Sequence, residues 1–182
     1  MPFTAGQKVR VSQLNELGGS GGGGGSAPLP TGGYAHMTGD VIVTNSTTLV
    51  EATGLTFDLS ASATYVFHGW LLYTALDGGD IKIQPGAPSG ATGYWSLYGA
   101  PVGQEPVAGN EWINYNDFFA GDLSTSQTST GGGASNYMVL KMEGYITTTD
   151  AGECQVQVAQ NTADATPTVL RAGSWLRMAR VV

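Results

Sequence analysis

The chain has 182 residues, enough for one domain with a real hydrophobic core plus appendages and too few for two comfortable domains. Only 12% of the residues are charged while 28 are glycine, a balance that disfavours surface helices rich in Glu, Lys and Arg and favours strands and turns. The formal charge is -7, and the basic residues Lys8, Arg10, Lys82, Lys141, Arg171, Arg177 and Arg180 form no dense run, which argues against a nucleic-acid partner held by phosphate neutralisation.

Residues 1–17 form a distinct piece. Ser12 is placed to cap a single helical turn that presents Leu14 and Leu17 together. So short a helix is not stable alone in water, so Phe3, Val9, Val11, Leu14 and Leu17 are expected to be ordered by contact with another surface. The opening residues lack the apolar stretch of a secretory signal, and no window of the sequence reaches the length of a membrane span. This predicts synthesis in a cytosol and no membrane insertion.

Residues 18–33 read as a tether. The run from Gly18 to Ser26 is all Gly and Ser, offers no side chains to pack, and extends to about 30 Å at most. Such a tract resembles an engineered fusion linker, but natural proteins carry similar ones, and its flanks read as one continuous sequence. The tether separates the arm mechanically from a third segment, residues 34–182.

In that segment the expected elements are strands between glycine-rich or polar turns. Val41–Thr44, Thr48–Val50 and Leu55–Leu59 are short and peripheral. Thr64–Thr74 is the longest apolar run, with aromatic and β-branched residues on both alternating faces, which predicts a central strand covered on both sides. Asp77-Gly78-Gly79-Asp80 reads as a hairpin turn into Ile81–Ile83, and Gly93–Tyr98 as the next strand. From Gly99 to Gly133 periodicity is weak, which predicts a long excursion loop. Tyr137–Thr148, Glu153–Gln160 and Thr168–Val182, the last interrupted near Gly173, close the chain. Seven or more short strands without a long helix predict an all-β fold, an antiparallel β-sandwich or jelly roll.

Little in the sequence points to chemistry. His36 and His68 stand in no zinc-binding spacing, and no Gly-x-Ser-x-Gly elbow is present. We therefore expect no catalytic residues, no metal and no cofactor, with His68 a hydrogen-bonded packing residue of its strand. Cys154 is the lone cysteine, which excludes an intrachain disulfide and predicts a small buried or surface residue. Asp77, Asp80, Asp117 and Asp122 lack EF-hand spacing and read as turn formers. Glu105 and Glu111, with Asp117 and Asp122, become a glycosidase pair only if the fold brings them together. Trp95, Trp112 and Tyr115 stand out in an aromatic-rich middle section that also holds Tyr94, Tyr98, Phe118 and Phe119. Rings there form core or a subunit interface, or else offer surface contacts to a ligand such as a glycan.

Two segments resemble a known group. Ala5-Gly6-Gln7 followed by Ser12-Gln13-Leu14-Asn15 resembles the "AGQ…(A/S)xLN" start of small tail, fibre and head-decoration proteins of actinobacterial siphophages. Ala159–Leu170 with Ala172–Arg177 resembles the closing strands of the same group. The resemblance covers about a quarter of the chain, at its two extremities. It implies a non-enzymatic bacteriophage virion component, commonly a homotrimer of β-sandwich or jelly-roll heads, anchored to capsid or tail by the N-terminal segment. For this chain the anchoring residues would be Phe3, Lys8, Val9, Arg10, Val11, Leu14 and Leu17, and the partner the major capsid protein or another virion protein. Capsid decoration or a head fibre fits the arm–tether–head layout best. A minor tail or tail-tip protein binding host surface glycan through Trp95, Trp112 and Tyr115 is the alternative.

Overall fold

The structure, a computed structural model, describes residues 32–103 and 117–181, which form an antiparallel β-sandwich. The arm, most of the tether, Trp112 and Tyr115 lie outside the described residues. The larger sheet has eight strands, with the order β1 (Gly32–His36), β12 (Trp175–Arg180), β4 (Ala63–Ala75), β9 (Gly133–Thr148), β6 (Thr92–Gly99) and β7 (Asp117–Asp122). Its remaining strands, β2 (Val41–Val43) and β11 (Thr168–Leu170), join at one end of β4. The smaller sheet runs β3 (Val50–Leu59), β10 (Gly152–Ala159), β5 (Ile81–Gly86), β8 (Gln127–Ser129). β1 takes in Gly32 and Gly33, the last two residues of the expected tether.

One hydrophobic core fills the space between the sheets. Tyr65, Phe67, Leu71 and Tyr73 of β4, Trp95 and Leu97 of β6, and Leu140, Met142 and Ile146 of β9 meet Leu55, Ile81, Ile83, Val156 and Val158 of the smaller sheet. The large sheet packs by alternating large and small residues across its strands. Gly144 stands in register between Phe67 and Trp95, and Gly69 between Leu176 and Met142. A Cβ on Gly144 would lie 2.5 Å from the Tyr94 carbonyl oxygen and 2.7 Å from Phe67 Cζ. The two rings therefore fit only because no side chain separates them.

Several expectations need correction. β4 is central, flanked by β12 and β11 on one side and β9 on the other, but it is covered on one face only, since Val66, His68 and Trp70 are exposed. Because both its edges are already paired, the chain after Asp77–Asp80 cannot fold back on it as a hairpin. It crosses instead to the smaller sheet, where β5 pairs with β10 and β8. The crossing is fixed by Asp80, whose backbone adopts a φ of 51° and whose carboxylate accepts the Gly131 N–H at 3.0 Å.

The expected excursion loop contains β7 and β8. β8 is Gln-Thr-Ser, held by its ladder to Ile81–Ile83, and a strand stabilised mainly by backbone pairing leaves no apolar alternation to read. Likewise the strands expected at Thr48–Val50 and Leu55–Leu59 are one strand with a bulge. Between the pairs Gln155↔Thr56 and Gln157↔Glu51 the register shifts, so that Ala52 and Leu55, an odd spacing apart, both face the core. Gly54 turns the bulge at a φ of +97°, where an added Cβ would meet the His36 carbonyl oxygen at 3.0 Å.

At the opposite end Gln160 holds two loops together. Its Oε1 accepts the N–H groups of Ser46 and Asp164, both at 3.1 Å, and its Nε2 donates to the carbonyls of Asp164 and Thr166 at 3.1 and 2.9 Å. Nearby, Asp40 accepts from Arg171 Nη1 and from the Ala172 N–H, each at 2.8 Å. These two bonds hold its carboxyl below the usual carboxylate range.

Candidate functional site

Of Trp95, Trp112 and Tyr115 only Trp95 is described, and it is not a surface residue. Its side chain is 2% exposed, and Nε1 donates to the carbonyls of Asp122 at 3.0 Å and Thr125 at 3.2 Å. The expectation that its ring meets a ligand is corrected: Trp95 is a core residue that also pins the 122–125 turn. Cys154 is buried, and burial pushes its thiol up to about 12, so it is no nucleophile at neutral pH.

Asp77, Asp80 and Asp122 lie at turns as expected, whereas Asp117 is the first residue of β7, paired with Gly99. Asp122 Oδ1 accepts from the Ser124 N–H, Ser124 Oγ and Thr125 Oγ1, which lowers its pKa. Asp77 accepts from Thr130 Oγ1 at 3.3 Å. Among the described residues no three His, Cys, Asp or Glu side chains gather where they could hold a metal, and no helix is long and apolar enough to cross a membrane.

What the fold does bring together is the outer face of the large sheet, which takes Tyr94 and Tyr98 from the aromatic-rich middle section and joins them to residues of four other strands. Because side chains alternate along a strand, the inward positions Tyr65, Phe67, Trp95 and Leu97 push Val66, His68, Tyr94, Ser96 and Tyr98 outward. Register then sorts the outward side chains into three rows across the strands. One row is His36, Trp175, Trp70, Lys141 and Tyr98; the next is Tyr34, Arg177, His68, Glu143 and Ser96; the third is Ala179, Val66, Tyr145 and Tyr94.

The face is ordered by its own contacts. Trp175 stacks on Tyr34 with ring centres 5.9 Å apart and meets His68 edge-on at 5.8 Å, while Tyr94 and Tyr145 lie 6.1 Å apart. His68 is thus an exposed residue beside a tryptophan rather than the expected hydrogen-bonded packing residue. Glu143 is held between Lys141 Nζ at 2.7 Å and the Tyr98 hydroxyl, which donates to it at 3.0 Å. Lys141 also sits 4.9 Å from the centre of the Tyr98 ring. Lys141, with the Tyr98 hydrogen bond and the nearby His68, lowers the Glu143 pKa despite some desolvation. Between these groups lies an open groove of about 580 Å³ over Ser96, lined by His68, Tyr94, Tyr98 and Glu143.

The sequence held a signal for this face. In Tyr94-Trp95-Ser96-Leu97-Tyr98 one parity is purely apolar and the other pairs tyrosines with a serine, which places Tyr94 and Tyr98, not Trp95, at the surface.

No protein-family model matches the chain, and no curated protein matches it. Among solved structures, one of the Gx strain of infectious bursal disease virus is similar at a TM-score of 0.24 and 10% identity, covering 83% of this chain and 40% of that one. A structure of the Gt strain is similar at 0.20 and 12%, covering 83% and 39%, and the VP2 subviral particle of the same virus at 0.20 and 11%, again covering 83% and 39%. The chain spans about two fifths of the length of these chains.

Proposed function

We propose that this chain is a non-enzymatic structural protein of a phage virion, a capsid decoration or head-fibre protein that docks on the shell through residues 1–17 and projects an oligomeric β-sandwich head. The observation that carries the reading is the position of β1. It is the edge strand of the large sheet, paired along Gly32–His36 with β12, the last strand of the chain. The described core is built from residues between Ala35 and Met178, so the described part of the chain enters the head through an edge strand. An arm with apolar residues Phe3, Val9, Val11, Leu14 and Leu17 and the cations Lys8 and Arg10, set off by a Gly/Ser run, suits attachment to another virion protein such as the major capsid protein. The resemblance of both extremities to phage virion proteins points the same way. The loop carboxylates Asp77, Asp80 and Asp122 are engaged in turns, which favours a structural over a catalytic role, and the expected assembly of the head is a homotrimer.

Deleting residues 1–17 from the phage-encoded protein tests the proposal. The truncated head, whose described core lies between Ala35 and Met178, is expected to melt within about 2 °C of the full chain, yet to be missing from purified particles. Retention on particles at the full-length copy number would overturn the docking role of the arm.

A further inference from the structure

We propose that the outer face of the large sheet is a carbohydrate-binding platform, on which a linear glycan lies across strands β1, β12, β4, β9 and β6 with one sugar seated in the groove over Ser96. The inference goes beyond the virion reading and does not depend on where in a particle the chain sits.

Three features specify the ligand. First, the exposed rings are large and held by a rigid sheet: Tyr34 is 64%, Trp70 53% and Tyr94 62% exposed. Such rings present flat apolar surface at low entropic cost, and the C–H faces of a pyranose stack on them. Second, between the two rows that carry Trp70, Trp175, Tyr94 and Tyr145 runs the row Tyr34, Arg177, His68, Glu143 and Ser96, rich in hydrogen-bonding groups. A sugar chain alternates in the same way, apolar on its ring faces and hydroxylated along its edges. Third, the groove is open and shallow and partly preorganised, because Lys141 and the Tyr98 hydroxyl fix the Glu143 carboxylate that lines it. Five strands at about 4.8 Å spacing span roughly 19 Å, room for several linked sugars.

A second copy of the chain fits the face less well. The centres of protein interfaces are depleted of charge, whereas Lys141, Glu143, Arg177 and His68 sit in the middle of this one.

The test is to apply the purified full chain to a printed array of bacterial and eukaryotic glycans, then to titrate the strongest hits in solution by protein-observed NMR. The expected result is saturable binding of at least one linear oligosaccharide, with shifts centred on Trp70, Tyr94 and His68. Trp70→Ala and Tyr94→Ala should each weaken it about tenfold or more, while Tyr94→Phe, which keeps the stacking ring, stays within about threefold. Lys82→Ala, on the other sheet, is the control. Thermal melts verify that each variant is folded, which the exposure of these side chains predicts. An array with no signal above that of the Trp70→Ala/Tyr94→Ala double variant would overturn the proposal, as would binding indifferent to these substitutions. A stable self-association disrupted by Trp70→Ala would overturn it in favour of a subunit interface.

Discussion

Replacing Gly144 by valine is expected to destabilise the sandwich by about 3 kcal/mol, the upper end of the cost of overpacking a well-filled core. The position is closed on three sides. A Cβ there would lie 2.5 Å from the Tyr94 carbonyl oxygen, 2.7 Å from Phe67 Cζ and 2.8 Å from Trp95 Cα. Two of those atoms are backbone, so no rotamer change relieves the clash and β6 must move away from β9. The ladder between β6 and β9, from Thr92↔Thr147 to Tyr98↔Lys141, would loosen with it. For a chain of this size the change corresponds to a fall in Tm of roughly 6–12 °C. Gly78, with nothing within 4 Å of an added Cβ, is the matched control: Gly78→Ala is expected to stay within about 0.5 kcal/mol. Urea denaturation of both variants checks the pair, and a Gly144→Val loss under about 1 kcal/mol would mean that the large–small alternation across the sheet is not what fixes its packing.

Gln160→Leu is expected to cost at least as much, about 3–5 kcal/mol, by a different route. The side chain is fully buried and satisfies two N–H groups and two carbonyls. Leucine of similar size fills the space but leaves those groups without their partner, at about 1–3 kcal/mol for each that water cannot reach. The damage should be local before it is global. Hydrogen exchange is expected to accelerate first at Ser46 and Asp164, whose N–H groups lose their acceptor, while β4 and β9 keep their protection until global unfolding. Unchanged exchange at Ser46 would show that the loop does not depend on Gln160.

Much of the sandwich was legible in the sequence. β4, β6, β9, β10 and the β11–β12 pair follow from runs whose alternation or β-branched content is set by a core they must face, and the turn near Gly173 falls where the chain breaks between β11 and β12. The misses share a cause, which is that strand partners are decided in three dimensions. Asp77–Asp80 has good hairpin chemistry, but β4 has no free edge, so the same turn becomes a crossing between sheets. β8 carries no hydrophobic signature because its ladder to β5 does the stabilising. The candidate site was hidden for a related reason: Tyr34, Trp70, Tyr94, Trp175 and Tyr145 come from five strands and become neighbours only through register. Parity with Leu97 assigns Trp95 to the core and leaves Tyr94 outside.

The proposal that the chain is a capsid-mounted phage head is tested most directly by electron microscopy of particles purified from the cells that produce it, with gold-labelled antibody raised against residues 32–182. Label spread in many copies over the shell, and lost when residues 1–17 are deleted, is the predicted result. Particles that carry no label, although the protein is abundant in the infected cell, would contradict it.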